Sequence, residues 1–201
     1  MRKLLIALIL LLSNSLSAQN FDAGLVAGFT MSQISGDSFG GFDKPGARIG
    51  AYISYPIPRK NMNFEVGMQY LQKGSKGSRE ASEINGIYKY SMDMHYLELP
   101  FTVNYAFKNG LIIESGFGPG ILVSYTEEIN GTEELGNTPN TFALDFLCGL
   151  QYQFLNHLKI NVRYGNSLLP IRKEDVENSL EKNKDWYSSM VTFALMYQIS
   201  R

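Results

Sequence analysis

A chain of 201 residues with 18 Lys and Arg against 19 Asp and Glu carries a formal charge of −1, which excludes the basic footprint that nucleic acid requires. Cys148 is the only cysteine, so an intramolecular disulfide is excluded, and the length fits one domain better than a multidomain enzyme. Hydrophobic residues at 44% and aromatic residues at 12% suit a soluble protein and an alternating barrel equally, so periodicity has to decide.

The first element reads as an export signal. Arg2 and Lys3 form a positive start, Leu4 to Leu12 an unbroken apolar core, and Ser17-Ala18 a small-residue cleavage site. The run is too short for a transmembrane helix, which takes about 20 residues. Cleavage after Ala18 puts Gln19, not a cysteine, at the new terminus, which excludes a lipoprotein anchor. Loss of Arg2 and Lys3 moves the formal charge from −1 to −3.

Beyond Ala18 the chain alternates with a period of two. Strands are predicted over 21–34, 46–57, 62–73, 88–107, 110–126, 141–154, 157–168 and 186–200. The fourth carries Leu97, Leu99, Phe101, Val103, Tyr105 and Phe107 on one face and Glu98, Pro100, Thr102, Asn104 and Ala106 on the other. The sixth sets Phe142, Leu144, Phe146, Cys148, Leu150, Tyr152 and Phe154 against Asp145, Gly149, Gln151 and Gln153. The last sets Val191, Phe193, Leu195, Tyr197 and Ile199 against Thr192, Ala194, Met196 and Gln198.

Connections alternate in length. Pro58 to Asn61, Lys108-Asn109 and Leu155-Asn156 are short turns; Gly36 to Lys44, Gly74 to Ile87, Glu127 to Asn140 and Leu169 to Asp185 are long and polar. An even strand count with this alternation predicts an all-β, antiparallel up-and-down transmembrane barrel of about eight strands, with short turns and termini in the periplasm and four loops outside. Aromatic residues near strand ends, such as Phe21, Tyr52, Tyr55, Tyr70, Tyr96, Tyr105, Phe107, Tyr125, Phe154 and Tyr164, fit interfacial girdles.

The phase opposite the apolar set is charged. Arg48, Glu65, Glu98, Glu114, Asp145, Lys159 and Arg163 are predicted to face the lumen as a structural charge network, since an eight-stranded interior is just wide enough for side chains to fill. Gly24, Gly28, Gly50, Gly67, Gly116, Gly118, Gly120 and Gly149 share that phase and leave room for long side chains. The expectation is a plugged lumen.

Several segments give the chain a family likeness: Gly28-Phe29-Thr30-Met31-Ser32-Gln33-Ile34-Ser35-Gly36-Asp37, Lys44-Pro45-Gly46-Ala47-Arg48-Ile49-Gly50, Tyr70-Leu71-Gln72-Lys73-Gly74-Ser75-Lys76 and, most specifically, Tyr96-Leu97-Glu98-Leu99-Pro100. Glu114-Ser115-Gly116 and Asp145 to Leu150 add to it. On these the mature chain resembles the PorT-like outer-membrane β-barrel proteins of Bacteroidetes. The resemblance implies an outer-membrane location and, for the founding members, a part in protein secretion. One departure is the ending Ile199-Ser200-Arg201, where such strands finish on an aromatic residue recognised by the barrel-assembly machinery.

No catalytic, cofactor or metal site is expected. His95 and His157 lack companions at metal-ligand spacing, and Cys148 on the outward phase lacks a base. The inward carboxylates Glu98, Glu114 and Asp145 could serve as an acid/base pair, but Arg48, Lys159 and Arg163 share their compartment. Glu127, Glu128, Glu133 and Glu134 read as a solvated acidic loop, and Arg172 to Lys184 as one short helix or none. The expected function is a membrane scaffold whose external loops or periplasmic turns meet a protein partner, with outer-membrane lipid around it and no nucleic acid. A narrow channel or secretion component is the alternative, and a soluble periplasmic lipid-binding barrel the third.

Overall fold

The computed structural model describes residues 21–36, 41–78, 89–133, 138–172 and 185–199. The export signal and its cleavage site lie outside them, as do Glu134 and residues 173–184 of the candidate helix. The elements are β1 (Asp22–Ser35), β2 (Lys44–Pro56), β3 (Met62–Ser78), β4 (Lys89–Glu98), β5 (Phe101–Ala106), β6 (Leu111–Ile129), β7 (Thr132–Glu133), β8 (Phe142–Leu155), β9 (Leu158–Ser167) and β10 (Tyr187–Gln198).

Each strand pairs antiparallel with its neighbours, and β1 closes the sheet on β10 from Gly24↔Gln198 to Ser35↔Tyr187. The ring has eight barrel strands. β4 and β5 are one strand interrupted at Leu99-Pro100, where proline has no N–H to give the ladder. The register survives the interruption, with Gln69↔Glu98 before it and Val66↔Phe101 after it, and Gly67 N–H still donates to the Pro100 carbonyl at 2.9 Å. β7 is a two-residue return on the tip of β6 through Asn130-Gly131, both at positive φ (54° and 81°), the pairing that tight hairpins require.

The eight predicted strands are present, with two extensions. β3 continues to Ser78 and β6 to Ile129, so the loops predicted from Gly74 and from Glu127 begin later than the composition suggested. Polar, glycine-bearing stretches there still pair because β3, β4 and β6 support one another beyond the end of β2, whose pairing to β3 stops at Arg48↔Leu71.

The outer wall is apolar on every barrel strand. Leu25, Phe29, Ile49, Ile53, Met68, Phe101, Ile113, Phe117, Ile121, Leu150, Ile160, Phe193 and Leu195 are all exposed. Soluble monomers rarely expose contiguous apolar patches beyond a few hundred Å². A belt that circles the molecule is therefore solvated by hydrocarbon. This overturns the soluble lipid-binding alternative, which needs its apolar face inside.

The interior corrects a second expectation, that Tyr52, Tyr96 and Tyr125 stand in the interfacial girdles: Tyr52 and Tyr96 are buried inside the barrel, and Tyr125 packs against an inner apolar cluster. The interior is layered. Towards the long loops lies an apolar cluster that includes Ile34, Leu71, Met92, Met94, Tyr96, Leu147 and Met190. Towards the short turns lies a smaller one of Val26, Tyr52, Ala194 and Met196. The charges concentrate between them.

Candidate functional site

The seven predicted charges are all buried, at 1% to 7% exposure. At the centre, Arg163 on β9 grips Glu114 on β6 with two bonds, Nε to Oε1 at 2.6 Å and Nη2 to Oε2 at 3.0 Å. Glu114 also accepts from Asn161 Nδ2 at 2.9 Å and Gln151 Nε2 at 2.7 Å. Both of its oxygens are thereby saturated with donors, the condition a buried carboxylate needs to stay charged.

Arg48 on β2 joins the same assembly from the opposite wall. Its Nη1 donates to Asn161 Oδ1 at 2.6 Å and Thr192 Oγ1 at 2.9 Å, and its Nε donates to Gln69 Oε1 at 2.9 Å. Gln69 Nε2 passes the connection on to Glu98 Oε1 at 2.7 Å. An unbroken chain of side-chain bonds therefore runs from β4 through β3, β2 and β9 to β6, crossing the lumen. It links Arg48, Glu98, Glu114 and Arg163.

Glycines on the same phase make the room. A Cβ on Gly149 would stand 2.6 Å from Glu114 Oε1, and one on Gly118 2.8 Å from the Glu98 carboxyl carbon.

The remaining three predicted residues lie elsewhere. Asp145 pairs with Lys73 at 2.6 Å, and the Lys73 ammonium also sits 4.6 Å over the Tyr96 ring. Lys73 was not among the predicted charges, although it shares the inward phase with Glu65, Gln69 and Leu71. Glu65 accepts a long bond from Asn104 Nδ2 at 3.4 Å, and the Lys159 ammonium lies 5.9 Å over the Tyr52 ring. Among the described residues neither Glu65 nor Lys159 takes part in an ion pair.

A further ion pair stands beyond the apolar belt, where the long loops begin, and strict alternation hides it. Counted in steps of two from Glu114, Glu127 belongs to the outward set. The β4–β6 register shifts between His95 and Tyr96, from His95↔Ser124 to Tyr96↔Leu122, so β6 carries an extra residue at Val123. Beyond this bulge Ser124, Thr126 and Glu128 face out while Glu127 turns in and is buried. Arg172 Nη1 and Nη2 donate to the two Glu127 oxygens at 2.9 and 2.6 Å, and the Tyr90 hydroxyl donates at 2.8 Å. The Arg172 guanidinium lies 5.0 Å over the Trp186 ring. Burial alone would push the Glu127 carboxyl up; the bonds from Arg172 and Tyr90 and the Arg172 charge outweigh it and hold the group below its ordinary value. The reading of Glu127 as a solvated loop acid is therefore corrected, while Glu128 and Glu133 are exposed.

The other candidates keep modest surroundings. His95 Nδ1 is 2.5 Å from the Tyr70 hydroxyl, and His157 Nδ1 is 3.1 Å from the Gln198 carbonyl oxygen. Among the described residues no three His, Cys, Asp or Glu side chains converge as metal ligands.

A closed eight-stranded antiparallel sheet, apolar outside and charged within, defines an integral outer-membrane β-barrel. The model of the outer membrane protein beta-barrel domain family matches residues 17–173, and the chain belongs to that family. Its place is the lipid of the outer membrane. Among solved structures it is similar to the Neisserial surface protein A, with 10% identity over 88% of this chain and 97% of that one and a TM-score of 0.56. It is likewise similar to Ail, the attachment invasion locus protein of Yersinia pestis, with 12% identity over 90% and 99% and a TM-score of 0.52. At such identities the likeness is one of fold. No curated protein matches the sequence.

Proposed function

We propose that this barrel is a sealed scaffold that presents its external loops to a protein partner, and that the charges in its lumen are structural and not catalytic or conductive. The observation that carries the reading is the Arg48–Asn161–Glu114–Arg163 assembly, whose members come from β2, β6 and β9 and bond across the interior. A carboxylate held by four donors has no lone pair poised to take a proton from a substrate. On this reading the chain has no enzyme activity, cofactor or metal.

The finer assignments in this proposal rest on the family resemblance and on the layout of the first 18 residues. The chain is a PorT-like member of its family, exported by a signal cleaved after Ala18 and inserted by the barrel-assembly machinery. Conductance of the purified barrel in planar bilayers tests the sealed lumen: no unitary steps are expected from the wild type, and steady ohmic steps would overturn it. A second reading, a narrow channel or secretion component, is favoured by Glu65 and Lys159, which are buried outside the central network. It expects ohmic steps that Lys159→Met alters.

A further inference from the structure

The outer wall is not uniformly convex. On its short-turn half, a groove of about 390 Å³ crosses β1, β2 and β3. Its floor is Ala23 and Ala51, and its walls are Leu25, Ile53, Met68 and Leu99. The registers explain the depression. Ala51 stands between Leu25 on β1 and Met68 on β3, and Ala23 stands beside Ile53, so two methyl groups are flanked by long side chains across the ladder.

Below the groove, β2 ends at Pro56, and the turn to β3 carries two exposed cations, Arg59 and Lys60. Phe21 and Tyr55 pack at that level with ring centroids 5.2 Å apart, the amphipathic aromatic layer of a membrane interface. From Ile53 to the end of β2 is three residues, roughly 10 Å of strand. One leaflet of hydrocarbon is roughly 15 Å deep. A lipid phosphate at Arg59 and Lys60 therefore places its acyl chains beside Ala51.

We infer that this groove, with Arg59 and Lys60, is a binding site for one glycerophospholipid of the periplasmic leaflet. The wall supplies a recess shaped for an acyl chain and the turn supplies positive charge for the phosphate, which together distinguish this face from a merely lipid-wetted surface.

The test is native mass spectrometry of the barrel extracted from outer membranes in mild detergent, with phosphatidylethanolamine, phosphatidylglycerol and lipid A each added as probes. The wild type is expected to retain one phospholipid under activation that strips the rest. Ala51→Phe fills the floor and is expected to weaken retention by roughly tenfold, the loss of about two buried methylenes. Arg59→Gln with Lys60→Gln lies in a turn, leaves the wall intact, and is expected to weaken retention several-fold. Unchanged retention in either variant would overturn the inference. So would preferential retention of lipid A, or a wild-type dimer that Ala51→Phe dissociates, which would give the groove to a second copy of the chain.

Discussion

Glu127 accepts both prongs of the Arg172 guanidinium only because the bulge at Val123 turns the tip of β6 through one residue. A bulge of this kind re-aims side chains without breaking the sheet, and here it moves a carboxylate from the outer face to the inner one. The pair sits against Trp186, the single tryptophan of the chain, so its state has a built-in optical reporter.

The first prediction uses that reporter. Glu127 is held below its ordinary value of 4.5, so the stabilisation it brings is fully present above pH 4.5 and is lost only as pH falls through the lower folded-state value. Trp186 emission in vesicles should stay constant from pH 7 to 4.5 and change below that. Arg172→Gln removes the opposing bonds and leaves burial dominant, which should move the transition above 4.5. A wild-type transition centred at or above 4.5 would contradict the assignment.

The second prediction concerns Glu114 and Arg163. Removing one partner of a buried ion pair leaves the other charge uncompensated, at about 3–5 kcal/mol, whereas replacing both by apolar residues is often close to neutral. Glu114→Gln and Arg163→Met should each lower the free energy of urea unfolding from vesicles by that amount. Glu114→Leu with Arg163→Met together should lower it by less than either single change. Single variants within about 1 kcal/mol of wild type would show that the pair does not hold the lumen.

Period-two alternation made the burial of all seven lumen charges legible in the sequence, because Arg48, Glu65, Glu98, Glu114, Asp145, Lys159 and Arg163 share a phase with glycines and oppose an apolar set. Which charge meets which was not legible. Arg163 is 49 residues from Glu114, and Lys73 is 72 from Asp145; only the register and closure of the ring bring such pairs together. The inward run Tyr90, Met92, Met94 and Tyr96 was readable as an apolar layer, being in phase with Glu98, but it lay in a segment dominated by the signature that follows it. Glu127 was hidden for a different reason, since a one-residue bulge reverses every assignment beyond it. The Asn130-Gly131 hairpin carried a sequence signal, inside a stretch whose acidic composition read as loop.

The third prediction separates two Lys–Asp pairs by burial. Lys73 and Asp145 are buried at 1% and 2% exposure, while the Lys44–Asp93 pair leaves its Asp93 side chain 27% exposed. Lys73→Met should destabilise by about 3–5 kcal/mol, leaving the buried Asp145 carboxylate unpaired. Lys44→Met should stay within about 1 kcal/mol, since partly solvated pairs contribute little. Equal effects of the two in urea titrations would sink the distinction.

The fourth prediction tests which solvent the outer wall meets. Phe117 faces outward on β6 between Ile113 and Ile121, and its ring packs edge-on to Phe146 at 5.9 Å. Midway along the apolar belt, an arginine there should destabilise the barrel in vesicles by about 2–4 kcal/mol, the depth-dependent penalty for a cation on a lipid-facing strand. Tyr152 also faces outward, opposite Leu111 at the short-turn end. Its replacement by arginine should cost about 0–1 kcal/mol, because the long side chain reaches the interface. A wall solvated by water would give two arginines of nearly equal effect, so the difference between them, measured by urea unfolding at fixed lipid composition, reads the depth of each residue in the membrane.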